Sequence, residues 1–113
     1  MTKKVTSPEE FFGHQMGADG KIARWDRIVE YFTRLQKESK RVKVVDMGPS
    51  TEGHPFLMVL ITSEENMKNL NKLQDINITL TNPGELTEDE ARPLVEAGKD
   101  VVIQSMSLHA TEI

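Results

Sequence analysis

Residues 41–62 read RVKVVDMGPSTEGHPFLMVLIT. The two ends of this stretch, 41–47 and 56–62, are rich in β-branched and apolar residues, and the segment between them is dense in glycine and proline. Apolar runs of this length favour β-strands, and a short connection made of turn formers predicts an antiparallel hairpin. Residues 56–62 are apolar almost throughout, which predicts a strand that is buried on both faces.

A helix is predicted immediately before the hairpin. Apolar residues recur at helical spacing from Trp25 to Leu35, with charged residues between them. This spacing predicts an amphipathic helix over residues 22–38. Asp19 and Asp26 are both candidates for the residue that marks its start.

Residues 1–20 are polar and contain several glycines, which predicts an irregular lead-in. Ser7 followed by Pro8 is a favourable start for a short helical turn, because serine caps a helix and proline is tolerated at its first position. Phe11 and Phe12 are the predicted anchors of this segment.

Two further helices are predicted after the hairpin. Ser63 followed by two glutamates is typical of a capped helix start, and a weak apolar stripe continues from there to Leu80. Residues 87–90, Thr-Glu-Asp-Glu, fit a capping box, and Gly98 is the predicted C′ residue at the other end of that helix. Pro93 lies inside this second helix and is expected to kink or shorten it.

The last stretch, Lys99–Ile113, reads KDVVIQSMSLHATEI. Its apolar start predicts a buried strand over residues 100–107. Helices in a crossover of about 35 residues separate this strand from the hairpin, which suggests a parallel pair. The predicted fold class is α/β, with an incomplete mixed sheet in which the antiparallel hairpin is joined by a parallel strand and flanked by helices.

Length and composition limit the class of protein. The 113 residues suffice for one domain and are too few for two. The formal net charge of −4 and the lack of a basic stripe argue against nucleic acid as a partner. The chain contains no cysteine, which excludes disulfides, zinc–thiolate sites and thiol nucleophiles. The N-terminus lacks the apolar core of a signal peptide, and no apolar run is long enough to span a bilayer.

His109 and Glu112 are the candidate metal ligands. An imidazole and a carboxylate are both good ligands for Zn²⁺, and their spacing of three residues lets both reach one ion. They follow directly after a predicted apolar strand, which is where ligands bind in open α/β sheets. A catalytic zinc typically takes three protein ligands, so the pair would need one more. The alternative is that both residues lie in a solvated chain end that binds no metal.

The remaining polar candidates have ordinary structural explanations. A histidine in a turn is usually solvated, and an isolated carboxylate needs a second group for acid–base chemistry. No serine lies in a Gly-x-Ser-x-Gly elbow, and the glycosylation sequon falls on a polar helix. We therefore predict structural or surface roles for His14, His54, Ser50, Ser105, Ser107, Asp46, Glu52 and the sequon at 77–79.

Three segments together resemble the N-terminal part of the zinc metallocarboxypeptidases, the carboxypeptidase A-like peptidases, and in particular their bacterial branch. The predicted helix from Trp25 and the strand before Gly48 resemble the family's opening helix and strand. Residues 48–55, GPSTEGHP, resemble its Gly-x-Ser-x-Glu-Gly-Arg-Pro turn. Residues 101–112 resemble the apolar strand that ends in the family's His-x-x-Glu zinc motif. The resemblance covers about residues 22–113, in the family's order.

The resemblance implies that residues 1–113 are the N-terminal part of a single catalytic domain. His109 and Glu112 would then be the first two zinc ligands. The third ligand, a histidine, and the general base, a glutamate, would lie beyond Ile113, so this chain alone is expected to contain no catalytic base and to be inactive. In such a hydrolase zinc activates the water that removes C-terminal residues from peptide substrates, and the glutamate shuttles the proton.

Two positions depart from the family's pattern. Digestive members often carry arginine immediately before the glutamate of the zinc motif, where Thr111 stands here. Their substrate preference is therefore not expected to transfer. His54 stands where the turn usually has arginine, and we expect little consequence because the role of that position is structural.

Two other functions stay open from the sequence. One is a complete small α/β module with a binding or structural role, in which His109 and Glu112 are incidental. The other is a related zinc amidohydrolase that cleaves N-acyl amino acids with the same two ligands. An open sheet edge and exposed apolar faces predict a homo-oligomer. No membrane partner is expected, because no apolar run is long enough to span a bilayer. The resemblance favours a secreted or periplasmic location.

Overall fold

A computed structural model describes residues 4–106, which form two units. The first unit ends at Glu64 and the second unit begins at Glu65. Within residues 4–106, helices are combined with one antiparallel pair of strands, and both strands belong to the first unit. The chain is therefore a mixed helix-and-strand protein, as predicted.

The first unit is built from two helices and a hairpin. Helix α1 spans Pro8–Phe12, helix α2 spans Trp25–Glu38, strand β1 spans Val42–Pro49 and strand β2 spans Pro55–Ile61. Helix α2 contacts α1 and both strands, so it is the central element of the unit. The predicted helix over 22–38 and the predicted hairpin over 41–62 are thus confirmed, with bounds that differ by a few residues.

Helix α2 is amphipathic, as its apolar spacing predicts. Tyr31 and Leu35 are buried against the rest of the first unit. The residue at the N-cap is Arg24, whose side chain makes no capping hydrogen bond, so neither predicted aspartate occupies the cap. Asp26 lies instead in the first turn, where a negative charge is favourable to the helix dipole.

Strands β1 and β2 pair antiparallel, with Val44 opposite Val59. The register shifts between Asp46 and Pro49, just before the turn. The side-chain oxygen Oε1 of Gln36 accepts a hydrogen bond from the backbone N–H of Val44 at 2.5 Å. Helix α2 therefore covers part of the outer edge of β1.

Strand β2 remains partly exposed within the first unit. The exposed fractions of Phe56, Met58 and Ile61 are 58%, 41% and 66%. The prediction that this strand is buried on both faces is therefore wrong for the described residues. The physical reason is that the described sheet has only two strands, and the elements that contact β2 there are β1 and α2.

Helix α1 is a short capped turn, as predicted. The hydroxyl oxygen of Ser7 accepts a hydrogen bond from the backbone of the first turn at 3.2 Å, and Pro8 begins the helix. The turn places Phe11 and Phe12 against Tyr31, with ring centroids 5.2 and 5.7 Å away. These aromatic contacts anchor the lead-in to helix α2.

A cluster of hydrogen bonds ties the N-terminal segment to the C-terminal end of α2. The carboxylate of Glu38 accepts hydrogen bonds from the N–H and the hydroxyl of Thr6, at 2.8 and 2.9 Å. It also accepts one from Nε of Arg34 at 2.8 Å. The hydroxyl of Tyr31 donates to the carbonyl oxygen of Thr6 at 3.0 Å. These four residues are called the Glu38 clamp below.

Acid should destabilise the first unit through the Glu38 clamp. The hydrogen bond from Arg34, followed by those from Thr6, lowers the pKa of Glu38 from 4.5 to about 2. A carboxyl group whose pKa is lower in the folded chain stabilises the fold above its unfolded pKa and loses this effect as the pH falls. The fluorescence of the single tryptophan, Trp25, reports unfolding in urea. We expect the urea concentration at the unfolding midpoint to decrease as the pH is lowered from 4.5 to about 2.

The variant Glu38→Gln tests this dependence because an amide does not titrate in this range. It should be less stable than the unmodified chain at neutral pH and should lose less stability in acid. Glu52→Gln is the matched control, since Glu52 is exposed in the hairpin turn and should leave the pH dependence unchanged. An unaltered acid transition in Glu38→Gln would contradict the role of the clamp.

The second unit is helical over much of its described length. Helix α3 spans Glu64–Lys68 and begins at the last residue of the first unit, helix α4 spans Leu70–Thr81 and helix α5 spans Glu88–Ala97. The single helix predicted after Ser63 is thus divided at Asn69, which is the N-cap of α4. Helices α4 and α5 are in contact, and Ile76 is the buried apolar side chain of the described part of this unit.

Helix α5 begins at the predicted capping box. The hydroxyl oxygen of Thr87 accepts from the N–H of Glu90 at 3.4 Å, and the Glu90 carboxylate accepts from the N–H of Thr87 at 2.9 Å. A cap of this kind typically contributes about 1 kcal/mol. Pro93 does not stop the helix, which continues to Ala97. Gly98 follows the helix as its C-cap rather than as the predicted C′ residue, and its backbone is extended (φ −64°) rather than left-handed.

The predicted strand over 100–107 is not observed in residues 100–106. These residues have no regular secondary structure, and Val101, Val102 and Ile103 are 67%, 93% and 87% exposed. A strand needs a neighbour that pairs with its backbone, and the sheet in the described residues consists of β1 and β2. The hairpin of the predicted mixed sheet is confirmed, whereas its parallel strand stays a prediction.

Candidate functional site

The two predicted zinc ligands lie outside the described residues. The description ends at Met106, before His109 and Glu112. The zinc site therefore stays a prediction from the sequence. Of the two candidate serines nearby, Ser105 is exposed and Ser107 lies outside the described residues.

The turn at residues 48–55, whose sequence carries part of the family resemblance, has a defined hydrogen-bonded geometry. The N–H of Ser50 donates to the carbonyl oxygen of His54 at 2.8 Å, and the N–H of Gly53 donates to the carbonyl oxygen of Ser50 at 2.9 Å. Gly53 has φ 76°, in the left-handed region that glycine adopts without steric cost. The glycine of the motif therefore has a geometric role in closing the hairpin.

Two polar side chains of the hairpin bind its backbone. The hydroxyl oxygen of Ser50 accepts from the N–H of His54 at 3.2 Å. Oδ1 of Asp46 accepts from the N–H of Gly48 at 2.9 Å, where the register shifts before the turn. Both side chains support the turn, which agrees with the structural roles predicted for them.

An open hollow of about 520 Å³ lies beside this turn. The start of α2 and the start of β2 line it, through Arg24, Trp25, Asp26, Val29, His54 and Pro55. The indole Nε1–H of Trp25 donates to the carbonyl oxygen of Pro55 at 3.0 Å, which joins the two elements. Trp25 is 41% exposed, although its place in the apolar stripe of α2 would favour burial. Its ring forms a wall of the hollow instead.

The charged groups of the hollow are exposed to solvent. Nε of Arg24 lies 3.1 Å from Oδ1 of Asp26, and the two side chains are 79% and 62% exposed. An ion pair this exposed contributes little to stability or binding. Within residues 4–106, the buried polar residue is Thr6, which belongs to the Glu38 clamp and not to the hollow. We therefore do not assign the hollow as a catalytic centre.

The other polar candidates have local partners. Nδ1 of His14 lies 3.1 Å from the carbonyl oxygen of Gln15, at hydrogen-bonding distance. The side-chain amide of Asn77, in the sequon, donates to the carbonyl oxygen of Lys99 at 3.4 Å. That amide links α4 to the segment after α5, which is a structural role.

Neither a metal-binding cluster nor a membrane-spanning helix occurs in the described part of the chain. Within residues 4–106, no group of three or more histidine, aspartate or glutamate side chains is placed to hold a metal ion. In the same part of the chain, no helix has the length and apolar character needed to cross a bilayer. His109 and Glu112 lie outside this part of the chain, so their predicted role stays a prediction.

No family model, curated protein or solved structure matches the chain. The family resemblance therefore rests on the sequence alone, through the helix and strand before Gly48, the turn at 48–55 and residues 101–112, in that order.

Sequence reasoning missed two features of the first unit, the Glu38 clamp and the hollow. The spacing of Arg34 and Glu38, four residues apart on a helix, was a visible signal for one contact of the clamp. Thr6 is 32 positions from Glu38, and no local pattern links them. The hollow depends on how α2 meets the hairpin, which the sequence does not reveal.

Proposed function

We propose that the chain is the N-terminal part of a zinc-dependent, metallocarboxypeptidase-like hydrolase that removes C-terminal residues from peptides. The observation that carries this proposal is that the turn at 48–55 and the pair His109 and Glu112 occur together, in the order found in that family. The fold of the first unit supports it, because α2, β1, the turn and β2 follow one another as the resemblance predicts.

His109 and Glu112 would bind the zinc ion through an imidazole nitrogen and a carboxylate oxygen, both of which suit zinc. Zinc in such a site polarises the scissile carbonyl group and activates a water molecule. This chain would contribute two of the zinc ligands, both on one short segment. That segment would follow a strand over 100–107 that runs parallel in the sheet. The third ligand and the general base are proposed to come from residues that follow Ile113. A secreted or periplasmic location belongs to the same proposal.

Substrate profiling tests the proposal on the protein expressed from the complete coding sequence, including any residues that follow Ile113. We expect zinc-dependent release of the C-terminal residue from peptides with a free C-terminal carboxylate. The matched control is the same peptide with an amidated C-terminus, which should not be cleaved. Residues 1–113 alone should give no turnover with zinc, because they supply two ligands and no general base.

The outcomes of this experiment separate the candidate functions. Preferential cleavage of N-acyl amino acids would favour the zinc amidohydrolase over the carboxypeptidase. Zinc-dependent turnover by residues 1–113 alone would contradict the proposal that the third ligand and the general base follow Ile113. Absence of both zinc and hydrolase activity in the complete protein would leave the binding or structural module as the better explanation.

A further inference from the structure

The outer edge of strand β2 carries backbone groups that point away from β1. The N–H of Val44 bonds to the side chain of Gln36, so it faces away from β2. In an antiparallel pair, residues that exchange hydrogen bonds alternate with residues whose N–H and C=O both point outward. Val44 is of the outward type, and so is its partner Val59. By the same alternation, Leu57 and Ile61 also point their backbone groups outward.

Two other hydrogen bonds agree with this assignment. The N–H of Thr62 donates to the carbonyl oxygen of Arg41 at 3.1 Å, so the pair next to Ile61 is of the hydrogen-bonded type. At the other end of β2, the carbonyl oxygen of Pro55 already accepts the indole N–H of Trp25. The free part of the edge therefore runs over residues 57–61.

This free edge has no feature that opposes strand pairing. Residues 57–61 read LMVLI, without charge, proline or glycine. Natural proteins usually protect an edge strand with lysine, proline or a bulge, and the register shift of this hairpin lies elsewhere, near its turn. The edge is thus an unprotected template for another apolar strand.

We propose that a second copy of this chain pairs antiparallel with β2 over residues 57–61, which makes a four-stranded sheet across a twofold axis at Val59. In this register Leu57 lies opposite Ile61 of the partner subunit, and Val59 lies opposite its own counterpart. All three outward-facing residues of each copy are then hydrogen-bonded, and the contact is closed and symmetric.

A second copy suits this edge better than a charged or polar partner strand. Residues 57–61 carry no charge, so self-pairing brings no like charges opposite each other. The exposed side chains of Met58 and Ile61 are also covered by apolar side chains of the same kind. This inference concerns the first unit and does not rest on the proposed hydrolase function. A strand over 100–107 that joined the sheet at β2 would occupy the same edge, and in that case the unmodified chain would stay a monomer.

Disulfide trapping tests the register, because the chain has no cysteine of its own. Met58 would lie opposite Leu60 of the partner subunit in a non-hydrogen-bonded pair, whose Cα atoms are about 4.5 Å apart. That distance permits a disulfide. Under oxidised glutathione, which accepts the two electrons, a mixture of Met58→Cys and Leu60→Cys should give a covalent dimer of the two variants. Each variant alone should form a covalent dimer only as slowly as the exposed control variant Val95→Cys.

Sedimentation measures the same contact without a thiol. At tens of micromolar we expect the unmodified chain to have twice its monomer mass of 12.8 kDa. Ile61→Lys should shift the chain to monomer, because it places a charge on the edge that pairs. The matched control is Val95→Lys, since Ile61 and Val95 are 66% and 63% exposed and neither change buries a charge. Val95→Lys should remain a dimer.

Three results would overturn the proposal. The first is a monomer at every concentration tested for the unmodified chain. The second is an Ile61→Lys variant that dimerises as well as Val95→Lys. The third is faster linking of Met58→Cys with itself than with Leu60→Cys, which would exclude the twofold axis at Val59.

Discussion

Replacement of His109 by alanine, in the protein expressed from the complete coding sequence, should abolish zinc-dependent peptidase activity. Loss of an outer partner of a metal ligand typically costs about 10- to 100-fold in metal affinity or activity, so loss of a direct ligand should cost more. Glu112→Ala should have an effect of the same size. Because both residues would serve one ion, the double variant should be no worse than either single one.

The measurements for these variants are bound zinc per protein and kcat/KM on a peptide with a free C-terminal carboxylate. His54→Ala is the control, because His54 is an exposed histidine of the hairpin turn and is not a proposed ligand. It should keep both zinc and activity. If His109→Ala retained its zinc and its rate, the pair at 109 and 112 would have no place in the site.

The second large effect is expected in the core of the first unit. Leu35→Ala should lower the free energy of unfolding by about 3 kcal/mol, since deleting a buried leucine side chain costs roughly 2–5 kcal/mol. Leu35 is 8% exposed, and with Tyr31 it makes up the buried apolar core among the described residues of this unit. A typical domain is stable by only about 5–15 kcal/mol, so this loss would be a large share.

Urea titration followed by Trp25 fluorescence measures this loss in the first unit. Ile22→Ala is the control because Ile22 belongs to the same unit and is 65% exposed. A substitution at such a surface position usually changes stability by no more than about 0.5 kcal/mol. Similar midpoints for Leu35→Ala and Ile22→Ala would mean that the packing around α2 does not hold the unit together.

Elements that depend on neighbours in the sequence were predictable. Helix α2 follows from the apolar spacing between Trp25 and Leu35, and the hairpin follows from two apolar runs around a turn. The cap of α5 follows from Thr87 and Glu90, which are three residues apart and satisfy each other's backbone. In each case the partners are close enough along the chain for a local pattern to specify the contact.

Features that depend on distant partners were not predictable in this way. The apolar sequence of β2 indicates a strand but not how many neighbours cover it, and Phe56 and Ile61 remain exposed in the described residues. The apolar run from Val101 to Ile103 likewise predicts a strand. A strand forms only where a neighbouring strand pairs with its backbone. Capture of Thr6 by Glu38 depends on chain reversal through residues 13–24, which no periodic pattern encodes.

The same distinction between local and distant contacts applies to the candidate site. The turn at 48–55 was predictable, because Gly53 and the hydroxyl of Ser50 act within a few residues of each other. The zinc site needs groups from separate parts of a fold, of which the sequence identifies His109 and Glu112. The hollow beside Trp25 was not predicted, since it forms between elements that are 30 positions apart.

The Glu38 clamp has a consequence for the order of events during synthesis. The hairpin and the helices use local contacts, which form within microseconds. The clamp joins residues that are 32 positions apart, so Thr6 leaves the ribosome well before its partner exists. Once Glu38 emerges the N-terminal segment can dock on α2, while the hairpin and the second unit are still to be translated, in keeping with the N-terminal-first folding of growing chains. The clamp would then act as the step that commits the nascent N-terminus to its folded position.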